Sequence, residues 1–245
     1  MDIIKSLFVW IFGLAFTLLM FPVSFLVWML LYPFDQERAV IHWLLVFQGL
    51  VLSRLIPIWK IRIDGRDKAK KKTAYVIISN HQSVLDILII ICLRYRFKWI
   101  SKIENYKKPI LGWYLRMARY IVVDRGNKES KAEMMERSAE SLRKGISIMM
   151  FPEGTRSTDK EIAEFKYGAF QLALMTDKPI LPVIVDGTGG VLPKHGVIFT
   201  SGHFLRIRVL DPVYPGSFGT GNPEELAAKF RTSMINELNE MRKEE

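Results

Sequence analysis

The chain begins with a long apolar stretch. No charged residue occurs from position 6 to position 34, and most of these positions carry Leu, Val, Ile or Phe. A helix of about 20 apolar residues is long enough to cross the hydrocarbon core of a bilayer. The apolar region of a secretory signal peptide is shorter, roughly 7–15 residues, and a small-residue cleavage site follows it. Since Tyr32–Asp35 provides no such site, the pattern predicts a membrane helix that Pro22 kinks or divides.

A second apolar stretch follows after a short polar link. It covers residues 39–53 and contains His42, Gln48 and Gly49. Fifteen residues are too few for a full crossing, so this stretch favours a re-entrant or interfacial helix. The sequence therefore predicts a membrane-anchoring hairpin of two helices over residues 1–60.

Beyond residue 60, short apolar runs alternate with amphipathic segments. The runs that predict strands are 75–78, 99–100, 120–123, 146–151, 180–185 and 204–210. Helices are predicted over 84–93, 128–144 and 165–176, and a last one begins at Asn222-Pro223-Glu224-Glu225, where a cap residue precedes Pro and two acids. This alternation predicts an α/β domain over residues 61–245, with a mainly parallel sheet flanked by helices.

The charge is distributed unevenly along the 245 residues. The formal net charge is +10, and residues 1–53 hold two basic and three acidic side chains, which leaves +11 for the rest. A basic body is attracted to anionic surfaces, and the apolar start favours lipid headgroups over nucleic acid as that surface. The positive-inside rule then predicts that the domain lies on the cytoplasmic face of the inner, or cell, membrane. The single cysteine excludes a disulfide framework, a zinc ribbon and a CxxC redox site.

The first candidate for chemistry is Asn80–Asp86, at the carboxyl end of a predicted strand, where open α/β sheets bind ligands. His81 and Asp86 are five residues apart, which separates them by about 140° on a regular helix. They can meet if His81 lies in the loop and Asp86 in the first helical turn. The carboxylate would then orient the imidazole as a general base. The alternative is structural, because Ser83 and Asp86 have capping-box spacing.

The second candidate is Phe151–Ser157, which directly follows another predicted strand. A turn around Gly154 allows a close backbone approach, Arg156 offers a planar fork for phosphate, and Thr155 adds a donor. Glu153 could accept a hydrogen bond from a substrate hydroxyl. The alternative is an ordinary Pro-Glu-Gly turn with a surface arginine.

A third candidate is the end of the predicted strand at 120–123, which leads into Asp124-Arg125. The pair forms either a local ion pair or, through Arg125, a second phosphate ligand. Lys102, after the run at 99–100, is a weaker candidate of the same kind. Neither a Gly-x-Ser-x-Gly nucleophile elbow nor a metal-ligand spacing occurs in the sequence.

Together these segments resemble the glycerolipid acyltransferases of the 1-acylglycerol-3-phosphate acyltransferase type, the PlsC-like family. Four blocks occur in the family's order: Asn-His-x4-Asp at 80–86, the strand ending in Asp-Arg at 122–125, Phe-Pro-Glu-Gly-Thr-Arg-Ser at 151–157, and Leu-Pro-Val at 181–183. The resemblance covers roughly residues 60–215. Family members usually have Phe-Ile before the acidic-Arg pair, where this chain has Val-Val.

The resemblance implies the transfer of a fatty acyl group to the sn-2 hydroxyl of lysophosphatidic acid, giving phosphatidic acid. His81 would be the general base and Asp86 its orienting partner. The alkoxide would attack the thioester of acyl-CoA or acyl-carrier protein directly, without an acyl-enzyme, a metal or a cofactor. The family's substrate-binding positions map to Glu153, Gly154, Thr155, Arg156, Arg125 and Lys102. The implied partners are the bilayer, the lysophospholipid and the acyl donor.

Other functions fit the same residues. Related enzymes could use a different lysolipid acceptor, transfer acyl groups without CoA, or hydrolyse the donor by activating water at His81. From another class, a noncatalytic membrane-tethered lipid-binding protein could use the same pocket, although binding alone requires no base.

Overall fold

The computed structural model describes residues 2–56, 59–200 and 202–244. It begins with helices α1 (Asp2–Leu31) and α2 (Ala39–Leu55). The expectation that Pro22 divides the first apolar stretch is wrong, because α1 continues through Pro22 as one helix of 30 residues. Contacts on both sides of the proline support the continuous helix: the Phe21 ring packs edge-on against Tyr114, and the Ser24 hydroxyl donates to the Met20 carbonyl.

The remaining elements alternate between strands and helices. In chain order they are β1 (Trp59–Asp64), β2 (Val76–Ser79), α3 (Leu85–Ile91), β3 (Phe97–Lys102), α4 (Ile103–Tyr106), α5 (Leu111–Met117), β4 (Ile121–Val123), α6 (Lys128–Arg143), β5 (Ser147–Met150), α7 (Gly168–Thr176), β6 (Ile180–Asp186), α8 (Thr188–Val191), β7 (His203–Val209) and α9 (Pro223–Lys243). Short 3-10 helices lie at Arg66–Lys68 and Pro215–Ser217. The sequence pattern did not predict β1, α4, α5 or α8.

The seven strands described here form one sheet in the order β1-β7-β6-β2-β5-β3-β4. Neighbouring strands are parallel except for β6 and β7, which pair antiparallel. The predicted α/β class with a mainly parallel, helix-flanked sheet is therefore confirmed. Strand β1 begins two residues before the predicted start of the α/β domain at residue 61, and it pairs with β7 from Trp59 onward.

The sheet separates two apolar cores. On one face, Ile77 and Leu181 pack in a cluster with residues of α1, α2, α3 and α5. On the other face, Ile78 and Ile180 pack with residues of α6, α7 and α9. Successive strand residues point to opposite faces, and β2 and β6 are buried at every position because both faces are covered. Helices α1 and α2 are thus part of the first core.

The turn between α1 and α2 is held to the α/β domain by ion pairs. Glu37 accepts hydrogen bonds from Lys98 at 3.0 Å and from Lys144 at 2.8 Å. Burial raises the pKa of the Glu37 carboxyl, but the hydrogen bonds and charges of Lys144 and Lys98 outweigh it and lower the pKa to about 2. At the other end of α1, the Trp10 indole N–H donates to the Val197 carbonyl at 2.8 Å. Both ends of α1 therefore contact the domain.

Candidate active site

Five parallel strands place the candidate residues at one edge of the sheet. His81 follows β2, Lys102 ends β3, Arg125 follows β4, and the segment 151–157 follows β5. Thr188 follows β6 at the same edge. The carboxyl ends of parallel strands meet at one edge, which is where open α/β sheets bind ligands. The structure therefore brings the segments singled out in the sequence to one side of the molecule.

His81 and Asp86 are in direct contact. His81 lies in the loop after β2 and Asp86 in the first turn of α3, and Nδ1 of the imidazole lies 2.7 Å from Oδ2 of the carboxylate. This is the arrangement, with His81 in the loop and Asp86 in the first helical turn, in which two residues at this spacing can meet. An ionised carboxylate only accepts, so a neutral imidazole in this contact has its proton on Nδ1 and its lone pair on Nε2. Within the described residues, Nε2 has no hydrogen-bond partner.

The Asp86 carboxylate also ends the loop and begins the helix. Its Oδ2 accepts from the backbone N–H groups of Gln82 at 2.7 Å and Ser83 at 2.9 Å, and its Oδ1 accepts from the Thr188 hydroxyl at 2.5 Å. The side chain is fully buried. A buried carboxylate with four donors is fixed in position, so it holds the imidazole in one orientation. The sequence left two roles open for Asp86, to begin the helix or to orient the imidazole, and the side chain makes the contacts of both.

The imidazole is held between a carboxylate and an aromatic ring. His81 stacks on Phe151 with ring centroids 3.9 Å apart and an interplanar angle of 10°. Trp99 lies behind Phe151, 5.7 Å between centroids. The His81 side chain is 15% exposed, so it is accessible at one edge while two neighbours restrict its rotation. This is a geometry in which a base can meet a substrate from solvent or lipid.

Glu153 points into the protein. Its Oε1 accepts from the His81 backbone N–H at 2.7 Å, and its Oε2 accepts from the Ala163 N–H at 3.1 Å. The residue is 4% exposed. Burial raises the pKa of the Glu153 carboxyl to about 7, against the lowering effect of these two donors. That Glu153 contacts substrate stays a prediction. In this structure its oxygens connect the loop after β5 to the loop of His81 and to the segment that contains Ala163.

The turn of the segment 151–157 is built around Gly154. Its φ of +74° lies in the left-handed region that glycine adopts without strain. A Cβ at this position would lie 3.1 Å from Lys166 Nζ. Arg125 donates from Nη1 to the Gly154 carbonyl, so two cations lie against this glycine.

The other candidates are Thr155 and Arg156 in the same turn and Lys102 at the end of β3. Arg156 is partly buried, and Thr155 and Lys102 are exposed. Among the described residues, the Arg156 guanidinium and the Lys102 ammonium have neither a hydrogen-bond nor an ion-pair partner. Cations without a local partner next to a glycine turn suit a phosphate group. Substrate binding by these residues stays a prediction.

Two residues at this edge were missed in the sequence. Thr188, which holds Asp86, follows β6, and its position after a predicted strand was an available signal. Lys166 lies at the beginning of the helix predicted over 165–176, where no motif singled it out. Within the described part of the chain, no group of three or more His, Cys, Asp and Glu side chains is arranged to hold a metal ion.

Comparison with known proteins is consistent with this geometry. The family model described as Acyltransferase matches residues 60–186. The chain is 33% identical over 202 residues to the chloroplastic 1-acyl-sn-glycerol-3-phosphate acyltransferase LPAT1 of Arabidopsis thaliana, covering 82% of this chain and 56% of that protein. It is 30% identical over 197 residues to a probable 1-acyl-sn-glycerol-3-phosphate acyltransferase of Mycoplasma genitalium, covering 73% of each.

A solved structure supports the fold. The 1-acyl-sn-glycerophosphate (LPA) acyltransferase PlsC of Thermotoga maritima superposes with a TM-score of 0.80 at 23% identity, covering 96% of this chain and 94% of that one. The chain spans about half the length of the chloroplastic relatives. The family model nevertheless covers more than half of this chain and includes the loops that carry His81, Asp86 and Arg156. By these matches, the chain belongs to the acyltransferase family.

Proposed function

We propose that the protein is a membrane-bound acyltransferase that converts lysophosphatidic acid to phosphatidic acid, with acyl-CoA or acyl-carrier protein as donor. The observation that carries the proposal is the His81 imidazole, whose Nδ1 is held by Asp86 at 2.7 Å while Nε2 faces away from any partner in the described chain. A binding protein requires no such base. The relatives named as 1-acyl-sn-glycerol-3-phosphate acyltransferases support lysophosphatidic acid as acceptor.

The reaction follows from the position of the free nitrogen. Nε2 of His81 takes the proton of the sn-2 hydroxyl as the oxygen attacks the thioester carbonyl. Asp86 stabilises the imidazolium that forms and keeps its orientation. The tetrahedral intermediate then collapses, the C–S bond breaks, and the imidazolium returns the proton to the leaving thiolate. The new ester and the free thiol account for all atoms and charges.

The acceptor phosphate fits the cationic side of the site. Arg156, Lys166 and Lys102 have no carboxylate partner within the described residues, and Arg125 lies against the Gly154 carbonyl. A phosphate bound by these cations would put the glycerol hydroxyl on the side of His81, because both loops are joined through Glu153. Binding at the phosphate therefore positions the reacting oxygen.

Transfer of a radiolabelled oleoyl group tests the function. Oleoyl-CoA is offered with lysophosphatidic acid or with lysophosphatidylcholine, and oleoyl-acyl-carrier protein is the second donor. Labelled phosphatidic acid is the expected product. Label only in phosphatidylcholine would change the acceptor, and free oleate alone would indicate a hydrolase. No product with either donor would contradict the enzyme and favour the lipid-binding alternative.

Replacing Arg156 with alanine is expected to raise the KM for lysophosphatidic acid by about 10- to 100-fold, since a hydrogen bond to a charged group contributes roughly 1.5–3 kcal/mol. The kcat should change much less, because Arg156 is proposed to bind phosphate in both the ground state and the transition state. Initial rates over a range of acceptor concentrations measure both constants. Arg143→Ala, which replaces an exposed arginine at the end of α6, is the matched control. An unchanged KM in Arg156→Ala would remove this residue from the phosphate site.

Membrane attachment is proposed to occur through α1 and α2. Their outward faces carry large exposed apolar side chains, among them Ile4, Leu7, Leu14, Leu18, Leu26, Leu30, Trp43 and Phe47. Helix α1 is long and apolar enough to cross a bilayer by length and composition. Both of its ends contact the α/β domain, however, through Trp10 and Glu37. We therefore infer that α1 lies in one leaflet beside the domain, with its outward face in lipid.

Cysteine labelling distinguishes a helix lying in one leaflet from one that spans the bilayer. The native Cys92 is buried and should react slowly, so the labelling measured in each variant comes from the introduced cysteine. With the protein added to preformed vesicles, Gln36→Cys in the turn should react with a membrane-impermeant maleimide as fast as Met175→Cys on α7. Leu18→Cys should react at least about tenfold more slowly, because a thiol in lipid does not ionise.

The reactivity of Gln36→Cys decides between the two arrangements. Protection of Gln36→Cys, with Met175→Cys still reactive, would show that the turn has crossed to the vesicle lumen. Rapid labelling of Leu18→Cys would show that the outward face of α1 is in water. In detergent without vesicles, where the outward face exchanges with solvent, the three cysteines serve as the reference for full reactivity.

A further inference from the structure

An apolar groove follows the outward side of α2, away from the candidate active site. It has a volume of about 360 Å³ and is lined by Trp43, Val46, Phe47, Leu50, Val51, Arg54 and Arg94. This volume is near the lower end of the roughly 300–1,000 Å³ typical of small-molecule sites. Five apolar side chains form the body of the groove, and two arginines stand at one end of it.

The body of the groove belongs to the surface that faces lipid. Trp43 is 43% exposed and Phe47 55% exposed, which is unusual for large apolar side chains on a helix that packs against a core. Behind them, α2 packs closely on α3, where a Cβ on Gly49 would lie 2.8 Å from Ile91 Cγ2. The inner face of α2 is therefore fixed, and its outer face is left open along the groove.

The two arginines at the charged end of the groove have no ion-pair partner among the described residues. Arg54 occupies the last turn of α2, and Arg94 follows α3. In the described chain neither guanidinium has a hydrogen-bond or ion-pair partner, and both are exposed. Arg66 joins them, since it donates to the Cys92 carbonyl at 2.6 Å and the charges of all three arginines act on the Cys92 thiol. Three cations at the edge of an apolar surface attract an anion that also carries an apolar part.

We propose that this groove binds one anionic phospholipid of the bilayer, with an acyl chain along the apolar face of α2 and the phosphate between Arg54 and Arg94. The site is separate from the reaction centre, because His81 and Asp86 lie at the beginning of α3 and Arg94 follows its end. One guanidinium group can donate two parallel hydrogen bonds to phosphate oxygens. The aliphatic part of the arginine side chain covers neighbouring apolar surface. The bound lipid holds the protein in place on an anionic leaflet.

The proposal rests on the membrane attachment proposed above, and quenching of Trp43 tests the two separately. Vesicles of phosphatidylcholine contain either a brominated phosphatidylglycerol or a brominated phosphatidylcholine at the same mole fraction. The fluorescence of Trp43 is the difference between the full chain and its Trp43→Phe variant. We expect at least about fivefold stronger quenching of Trp43 by the brominated anionic lipid, since this is the preference that one arginine contact with an anionic lipid contributes. Arg54→Gln/Arg94→Gln should bring the ratio of the two quenching constants close to one.

The control variant loses two positive charges, as the test variant does, but on the opposite face of the sheet. Lys131→Gln/Arg143→Gln on α6 removes two exposed positive charges there, and it should keep the anionic preference. Equal loss in this variant would assign the preference to the overall charge of the domain and overturn the site. A ratio of one in the unmodified chain would also overturn it. Absence of quenching by either lipid would contradict membrane attachment itself, and with it the groove proposal.

A free anion gives a different result from a lipid. Replacing chloride by inorganic phosphate at constant ionic strength should leave the preference for the anionic lipid unchanged. If phosphate removes the preference, the arginines bind a soluble anion and the proposal is wrong.

Discussion

Replacing His81 with alanine is expected to reduce acyl transfer by about 10³-fold, the typical contribution of a positioned general base. The change removes the imidazole and leaves the backbone contacts of this residue in place. The His81 N–H still donates to Glu153 and the His81 carbonyl still accepts from Ser157, because both bonds use main-chain atoms of His81. The loop should therefore keep its conformation while the reacting hydroxyl loses its proton acceptor. Single-turnover transfer of labelled oleate to lysophosphatidic acid measures the effect.

Two controls separate the lost base from a damaged protein. His195→Ala removes an exposed histidine in another loop and should transfer at the rate of the unmodified protein. Thermal unfolding of His81→Ala should still show one cooperative transition, because the backbone contacts of the loop remain although the Asp86 hydrogen bond and the stack on Phe151 are lost. A variant that folds and retains more than about a tenth of the parent rate would exclude His81 as the general base.

Replacing Asp86 with asparagine is expected to lower kcat by about 10²- to 10⁴-fold with little change in the KM for lysophosphatidic acid. The amide oxygen should take the place of Oδ2, because two backbone N–H groups and Nδ1 meet there, and the amide nitrogen should face the Thr188 hydroxyl. The imidazolium that forms during transfer then has no negative charge beside it to stabilise it. The change also weakens the acceptor for Gln82 and Ser83, which costs about 1–3 kcal/mol of stability. Steady-state kinetics at a temperature well below the unfolding transition measure kcat and KM apart from this loss.

Thr188→Val is the informative companion of Asp86→Asn. It removes the donor to Oδ1 but leaves the negative charge and the Nδ1 contact in place. Its kcat should fall less than that of Asp86→Asn, whereas Asp211→Asn, which replaces an exposed aspartate paired with Lys68, should have normal kcat. If Asp86→Asn and Asp211→Asn have the same kcat, the carboxylate serves only to begin α3.

The strongly apolar strands could be predicted from the sequence, whereas the edge strand β1 could not. β2 and β6 are short apolar runs because both faces of the central sheet are covered by helices. β1 alternates Trp59, Ile61 and Ile63 with polar residues directly after a membrane-like segment, so its short pattern is hard to separate from the end of that segment. The packing of α1 against the domain could not be predicted from the sequence either, because a helix that is apolar on all sides has no distinct face that indicates its partner.

The candidate site could also be predicted only in part from the sequence. His81, Asp86, Arg125 and Arg156 follow predicted strands, and the rule that carboxyl ends of parallel strands share an edge is sufficient to predict that they lie together. The spacing of His81 and Asp86 allows their contact, provided that His81 lies in the loop before the helix. The orientation of Glu153 could not be predicted, because it depends on the backbone N–H of Ala163, which lies ten residues along in a segment without regular structure.

The contacts that α1 and the turn after it make with the domain have a consequence for which lipids the proposed enzyme can reach. A catalytic domain on a flexible linker can sample a volume above the bilayer and bend toward a neighbouring vesicle. Here Trp10 in α1 and Glu37 in the turn after it contact the domain. In the proposed arrangement the height and the tilt of the domain relative to the bilayer are therefore fixed. Such an enzyme can use only those acceptor lipids that diffuse laterally to it within its own leaflet, whereas the thioester donor reaches it from water. Its supply of acceptor then depends on the two-dimensional density of lysolipid rather than on its bulk concentration.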